Sequence, residues 1–372
     1  MNRKLMYGMV GGDLNAFIGG VHRTAIAFSN AAELASGCFS TNPEKNSITA
    51  REFGLDESRV YPSYEKMVEN ESKKLDFVSI VTPNSTHFSI AKLCLQAGMN
   101  VFCEKPMCVT LEQALELKKL AEKNNALLAV NYSYTGFVMA KVARELVLSG
   151  KLGDIISIHG QYLQEWLIDE LGEKSSTAKL SAWRMDPKLS GSANCVGDIG
   201  THIENLVSYI TGLKIKRLCA RLDRFGHPLD FNGNILLEYN TGATGFYTCS
   251  QVAIGEQNGL AVRIYGTKGS LKWFEEHPDF LIFCEKGGAP QTWSRGAGYL
   301  KSFDAAKWAR IPAGHPEGLH EAFANIYKAF IDDIKAGKSG GDYPTAAEGA
   351  AGVQFIEAVL ESDGKSGAWI YL

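Results

Sequence analysis

Short apolar runs alternating with helical stretches fill the first third of the chain, and nothing else in the sequence restricts the fold as much. Lys4–Val10 reads as a strand and Ala16–Ser29 as a helix; Glu33–Phe39 and Pro43–Phe53 repeat the pair. Asp76–Val81, Asn100–Cys103 and Ala126–Val130 read as further strands, interleaved with helices at Asn84–Ala97 and Leu111–Lys123. Apolar strands that alternate with helices are the pattern of a parallel sheet covered on both sides.

Beyond Asn131 the pattern changes. Phe137–Ser149 reads as a helix, Asp154–Leu163 as a longer strand, 167–195 as a long loop and Asp198–Ile210 as a helix. Lys214–Cys284 gives consecutive strand-like runs separated by turn signals, a mostly antiparallel sheet, and helices return at Leu319–Lys335 and Thr345–Glu361. Two domains follow, 1–131 and 132–372, in keeping with a length of 372 residues. The net charge of −3 comes from 38 basic and 41 acidic side chains with no long run of either sign. That excludes the footprint of a nucleic-acid binder and fits a small polar ligand. No stretch approaches the roughly 18 apolar residues of a membrane span. Gly8, Gly11 and Gly12 interrupt the apolar start, so the chain reads as cytoplasmic, with neither leader nor membrane partner. The eight cysteines form no C-x-x-C pair and read as free thiols, not as disulfides or metal ligands.

The segment Gly8-Met-Val-Gly-Gly-Asp-Leu-Asn-Ala-Phe-Ile-Gly19 closes the first strand and opens the first helix. Gly11, Gly12, Asp13, Asn15, Ala16, Phe17 and Ile18 lie where a dinucleotide pyrophosphate meets backbone amides and the positive end of a helix. Asp13 and Asn15 stand where glycines are expected, and both residue types tolerate a positive φ. A glycine-rich turn without a ligand is the other reading. The second strand runs into Ser40, Thr41 and Asn42 with no carboxylate for a ribose hydroxyl, which leaves NAD and NADP both open. Glu104-Lys105-Pro106 follows the strand NVFC at the carboxyl edge of the sheet, where a lysine can hold a substrate hydroxyl; in isolation it also reads as a surface pair before a proline. Asp198 and His202, four apart in GDIGTH, stack on one face of a helix, as a proton-relaying pair or as a helix cap beside a core histidine.

Taken in order, these pieces resemble the Gfo/Idh/MocA family of NAD(P)-dependent sugar and polyol oxidoreductases. The resemblance is carried by GMVGG…AFIGGVHR (8–23), SIVTPNSTH (79–87), AGMNVFCEKPM (97–107), SGKLGDI (149–155), AWRMDP (182–187), GDIGTH (197–202) and YGTKGSL (265–271). It implies an N-terminal Rossmann dinucleotide-binding domain and a C-terminal α+β domain with an open, mostly antiparallel sheet that packs against another copy in a homo-oligomer. It implies a catalytic group of Lys105, Asp198 and His202, with His202 as base. Thr82, Pro83, Asn84 and His87 would line the cofactor, Glu104 would sit against the nicotinamide ribose, and Trp183 and Arg184 would reach the cofactor from the second domain. AFIGGVHR, AWRMDP and Gly314-His-Pro-Glu-Gly318 look like the branch acting on glycosides, some members of which oxidise the C3 hydroxyl of a glucosyl unit. His315 and Glu317 are then substrate candidates, against an ordinary loop as the plain alternative. Tyr132, Tyr134 and Trp166 are candidates to pack on a sugar face, against core or interface packing as the plain alternative for aromatics at strand ends. An inositol or polyol dehydrogenase, a glycosidase that uses transient C3 oxidation, and a non-catalytic sensor are the competing readings.

Overall fold

The computed structural model describes residues 3–171 and 182–372, so part of the stretch read as a long loop lies outside the described residues. The chain divides into two compact units.

The first unit holds the described residues up to Gly136 together with Leu319–Ala351. Its strands are β1 (Leu5–Gly11), β2 (Ala32–Cys38), β3 (Phe77–Val81), β4 (Asn100–Cys103) and β5 (Leu128–Val130). They form one parallel sheet in the order β2-β1-β3-β4-β5. Between them run α1 (Phe17–Ala27), α2 (Pro43–Glu52), α3 (Tyr64–Glu71), α4 (Asn84–Gln96) and α5 (Leu111–Lys123). All five residues of β3 are buried, which is why it reads as an unbroken apolar run. The chain leaves β1 toward β2 on one side and returns through β3 on the other. The carboxyl ends of β1 and β3 therefore flank the switch point at which such sheets bind ligands.

The second unit holds Phe137–Gly318 and Gly352–Leu372. It contains α6 (Val138–Leu148), β6 (Ile155–Leu163), the one-turn helices α7 (Ala182–Met185) and α8 (Pro187–Ser190), and α9 (Thr201–Thr211). The strands β7 (Ile215–Asp223), β8 (Asn232–Tyr239), β9 (Thr244–Ser250), β10 (Ala261–Gly266), β11 (Gly269–Phe274), β12 (Phe280–Glu285) and β13 (Gln291–Ser294) follow. With β14 (Ile370–Tyr371) they make a nine-stranded sheet in the order β13-β12-β11-β10-β6-β9-β8-β7-β14. Every pair in it is antiparallel except β6 with β9. One face is buried along the register row Ile235, Tyr247, Gly160, Val262, Trp273 and Leu281. Gly160 is needed there, because a Cβ would come within 2.2 Å of Ile203 on α9. The adjacent row, Leu236, Phe246, His159, Arg263, Lys272 and Ile282, is on the opposite face, with Leu236 and Phe246 exposed.

The last two helices are α10 (Leu319–Ala336) and α11 (Ala346–Gly364). The sequence assigns α10 to the second domain, whereas in the structure it packs on α1 in the first unit. The reason is aromatic: Tyr327 stacks on Phe102 of β4 at 3.8 Å between centroids, and Phe330 meets Phe77 and Phe102 edge-on. Gly136 makes room for α10, since a Cβ there would be 2.1 Å from the Ala322 carbonyl oxygen. The stretch 167–195 also departs from the expected loop, for it includes α7 and α8 and a single 3₁₀ turn at Ile168–Leu171.

Candidate active site

In the first unit the glycine turn is a cradle with no room for side chains. Gly11 and Gly12 have φ of 80° and 75°, a region open to glycine and costly for most residues. Asp13 and Asn15 take no positive φ, so the turn does not use the freedom the sequence suggested for them. Asp13 instead accepts the Asn15 amide through its carboxylate at 3.0 Å and the Ala16 amide through its carbonyl at 3.0 Å. A Cβ on Gly19 would lie 2.5 Å from the Gly12 Cα, so helix start and loop touch backbone to backbone. Arg23, one turn on, donates to the Gly12 carbonyl at 2.7 Å and lies over the Phe53 ring. Ala16 supplies no side-chain cap and the first turn of α1 has no acidic residue, which leaves the amides around Phe17 and Ile18 to an anion.

Across the switch point, Thr82 lies against Gly11, whose Cβ would come 2.9 Å from the Thr82 methyl. Pro83 caps α4, which Asn84 opens, again without a side-chain cap or an acidic first turn. The cradle and these two uncapped helix starts fit a dinucleotide. His87 does not line it. The ring is wholly buried, with Nδ1 2.8 Å from the Pro106 carbonyl and Nε2 2.8 Å from the Thr82 carbonyl. Burial lowers its pKa, so the ring is neutral and donates to one of these carbonyls at a time. It ties the two loops together. Ser40 accepts the Asn42 amide at 3.2 Å and Asn42 caps α2, so no carboxylate is added at the end of β2.

Glu104 and Lys105 sit at the end of β4, where the Lys105–Pro106 peptide is cis. The Glu104 carboxylate accepts His22 Nε2 at 2.8 Å, the Lys105 backbone amide at 3.1 Å and the Asn131 side-chain amide. Burial alone would raise this carboxyl. The His22 hydrogen bond, the charge of Lys105 and the Asn131 bond outweigh it and hold it at about 2. His22 Nδ1 is 2.6 Å from the Tyr327 hydroxyl, which is 3.0 Å from Ser79 Oγ on β3. His22 falls inside the sequence motif AFIGGVHR, yet its spacing to Glu104 gave no sign of the pairing.

Asp198 and His202 belong to the second unit. The expected regular helix is interrupted here. Asp198 lies on a π-helical turn, Val196–Gly200, and His202 on the first turn of α9. Asp198 therefore leads into α9 through a wider turn than the regular α-helix expected from sequence. Two buried groups build that turn: Asp230 accepts the Asn194 and Val196 amides at 2.7 Å each. Burial raises the Asp230 pKa, against those two bonds. Gln251, fully buried, donates to Asp198 Oδ2 at 2.9 Å and accepts from the Asn194 side chain at 2.8 Å. Neither Gln251 nor Asp230 falls in a motif read from the sequence. Arg184 Nε lies 3.6 Å from Asp198 Oδ2, and its guanidinium lies 4.6 Å from the Trp183 ring centroid and 5.8 Å from that of Trp166. His202 is 6% exposed, its ring 6.2 Å from that of Tyr162. Trp183, Arg184, Trp166 and Asp198 thus share one neighbourhood.

The other substrate candidates differ in exposure and partners. Tyr132 and Tyr134 are buried in the first unit, so neither offers a ring face to a sugar. Glu317 is buried as well. Its Oε1 accepts Arg295 at 3.1 Å and the amides of Arg310 and Ile311 at 2.6 and 3.0 Å. Arg295, itself 2% exposed in the side chain, also pairs with Asp279 at 2.5 Å. Glu317 therefore neutralises a buried cation and closes a loop. His315 is exposed nearby, and its carbonyl accepts from Arg295. Among the described residues no group of three His, Cys, Asp or Glu is placed to hold a metal ion, and no helix is long and apolar enough to cross a membrane.

A glycine cradle at the switch point of a parallel sheet, carried in one chain with an α+β unit built on an open sheet, defines a two-domain oxidoreductase of the dinucleotide-binding class. Residues 5–132 match the Gfo/Idh/MocA model described as an oxidoreductase family with an NAD-binding Rossmann fold, and residues 140–272 match the family's C-terminal domain. The uncharacterized oxidoreductase YfiI of Bacillus subtilis is 34% identical, with 100% of this chain and 97% of that one covered. Levoglucosan dehydrogenase of Pseudarthrobacter phenanthrenivorans is 26% identical over 99% and 98% of the two chains. The inositol dehydrogenase homolog of Azotobacter vinelandii complexed with NAD+ superposes with a TM-score of 0.94 at 34% identity, covering 100% of this chain and 98% of that one. Its complex with NADH and myo-inositol gives 0.93 at 33%, with the same coverage. The chain belongs to the Gfo/Idh/MocA oxidoreductases, and it is an NAD-dependent dehydrogenase of the sugar and polyol class.

Proposed function

We propose that the protein oxidises a secondary hydroxyl on a neutral six-membered ring, a cyclitol or a pyranose, to the ketone. The observation that carries this reading is the full-length likeness to an inositol dehydrogenase homolog whose structure holds NADH and myo-inositol. NAD+ supplies the hydride acceptor when bound. The amides of Gly12, Phe17 and Ile18 hold its pyrophosphate, the Thr82-Pro83-Asn84 turn and Glu104 flank the nicotinamide half, and Ser40 faces the adenosine ribose. His202 takes the hydroxyl proton, Asp198 stabilises the charge that His202 gains, and Lys105 stabilises the negative charge that develops on the oxygen. Trp183 and Arg184 border the cofactor, and Trp166 and the exposed His315 contact the ring being oxidised.

Oxidation of a glucosyl unit at C3 is the finer reading for a pyranose substrate. The end-to-end match to levoglucosan dehydrogenase supports a sugar ring as substrate. The exposed end of this row of the nine-stranded sheet, Leu236 and Phe246, is the surface on which a second copy packs. Eight free cysteines, six of them buried, suit a reducing cytoplasm. A panel of cyclitols, pyranoses and methyl glucosides with NAD+ and NADP+ tests the reaction, with reduced cofactor followed by absorbance and the new carbonyl located by NMR. A ring ketone is expected. Oxidation confined to an anomeric carbon, or sugar released without reduced cofactor, would overturn the proposal.

A further inference from the structure

We infer that His22 is a positioning residue of the reaction, acting through Glu104 to hold the turn that carries Lys105. This rests on the reading of Lys105 above.

The observation is a buried polar chain that crosses four elements of the first unit. Ser79 is on β3, Tyr327 on α10, His22 on α1 and Glu104 at the end of β4; the first three are completely buried and Glu104 is 8% exposed. Its polarity follows from the chemistry of its ends. An ionised carboxylate only accepts, so His22 Nε2 carries the proton directed at Glu104. With one proton on the ring, Nδ1 accepts, and the Tyr327 hydroxyl donates to it. The Tyr327 oxygen then accepts from Ser79. Burial keeps the Tyr327 phenol protonated, which this direction requires. The carboxylate at the far end is thus fixed in rotation, and its other oxygen receives the Lys105 amide. Bonds aligned in one direction in a dry interior reinforce one another. Four edge-on or stacked ring contacts, from Phe102 and Phe323 to His22 and from Tyr327 to both His22 and Phe102, pack the imidazole and phenol in this orientation. A histidine kept only to fill the core needs neither a carboxylate on one nitrogen nor a phenol on the other.

The charged and titratable groups around Glu104 are His22, Lys105, His87, Tyr327 and Cys103, with Asn131 as a neutral donor. Loss of the His22 hydrogen bond lets the carboxyl titrate higher, so an acid limb belonging to Glu104 appears in the kcat profile of a His22 variant.

The test is a cycle of His22→Asn, Glu104→Gln and the double variant, measured on the full chain. Two quantities are read, kcat against pH and the unfolding free energy of the cofactor-free protein. His22→Asn is expected to lose about tenfold or more in kcat, with an acid limb that the wild type lacks. In the Glu104→Gln background the same change costs nothing further and the limb is gone. His22→Gln places an amide nitrogen near the Nε2 position and recovers most of the loss, and it serves if His22→Asn does not fold. Additive losses in kcat, or coupling seen in unfolding alone, would reduce the chain to packing and overturn the inference. A wild type that reduces no cofactor with any ring substrate, while retaining the His22–Glu104 coupling in unfolding, would sink the dehydrogenase proposal instead and remove the reaction this inference concerns.

Discussion

Gly19 and Gly20 are neighbours in the same helix, and the structure assigns them opposite tolerances. A Cβ at Gly19 would stand 2.5 Å from the Gly12 Cα and 3.1 Å from its carbonyl carbon and oxygen, whereas at Gly20 the nearest atom is on the Arg23 guanidinium at an ordinary contact distance of 3.9 Å. Relief at Gly19 requires the start of α1 and the Gly12 loop to part by about 1 Å, an overpacking strain of about 1–3 kcal/mol. Part of that is offset by the roughly 1 kcal/mol that alanine gains over glycine in a helix. The separation also moves the loop and helix amides away from a common anion. Losing one charge-assisted hydrogen bond of about 1.5–3 kcal/mol weakens NAD+ binding roughly 10- to 100-fold. Gly19→Ala is therefore predicted to bind NAD+ at least tenfold more weakly by calorimetric titration, with a thermal midpoint at or below that of the wild type. Gly20→Ala keeps wild-type affinity and melts slightly higher. Equal affinities for Gly19→Ala and wild type, or an equal loss in Gly20→Ala, would refute the cradle as the pyrophosphate site.

Three other perturbations separate stability from catalysis. Glu317→Ala strands part of the Arg295 charge, so the protein loses about 3 kcal/mol in denaturant unfolding. Steady-state kcat/KM stays near wild type, whereas a substrate contact would show the reverse. The Glu104 carboxyl is held at about 2 from an ordinary 4.5, so it contributes its full share, about 3 kcal/mol, above pH 4.5 and loses it as pH falls from there toward 2. Unfolding curves of Glu104→Gln should accordingly fall below wild type at pH 7 and converge with it only as pH falls to about 2. Phe246→Glu puts a charge at the exposed end of its row in the nine-stranded sheet and is predicted to lower the mass found by light scattering while far-ultraviolet dichroism is unchanged; an unaltered mass would exclude that end from the interface.

The parallel sheet was legible because its strands are buried on both faces and so spell themselves as continuous apolar runs, as Phe77–Val81 does. The position of Lys105 and the glycine turn followed from strand-then-loop order alone. What stayed hidden depends on distance in sequence. Tyr327 lies 305 residues from His22, and no periodicity in α10 says which sheet its aromatic face will cover. The π turn at Val196–Gly200 was likewise invisible, since Asp230 and Gln251, which shape it and its carboxylate, come from strand ends more than thirty residues away. Glu317 shows the converse: a polar residue in a glycine- and proline-rich loop looks available, and only the structure reveals Arg295 beneath it.

The central claim is hydride transfer from a ring carbon, with His202 taking the hydroxyl proton. It is tested most directly by giving the best ring substrate with deuterium at its carbinol carbons to wild type and His202→Asn. The account predicts one deuterium recovered in NADH per ketone formed, and a fall of orders of magnitude in turnover in His202→Asn with NAD+ affinity retained. NADH free of deuterium, or normal turnover in His202→Asn, would contradict it.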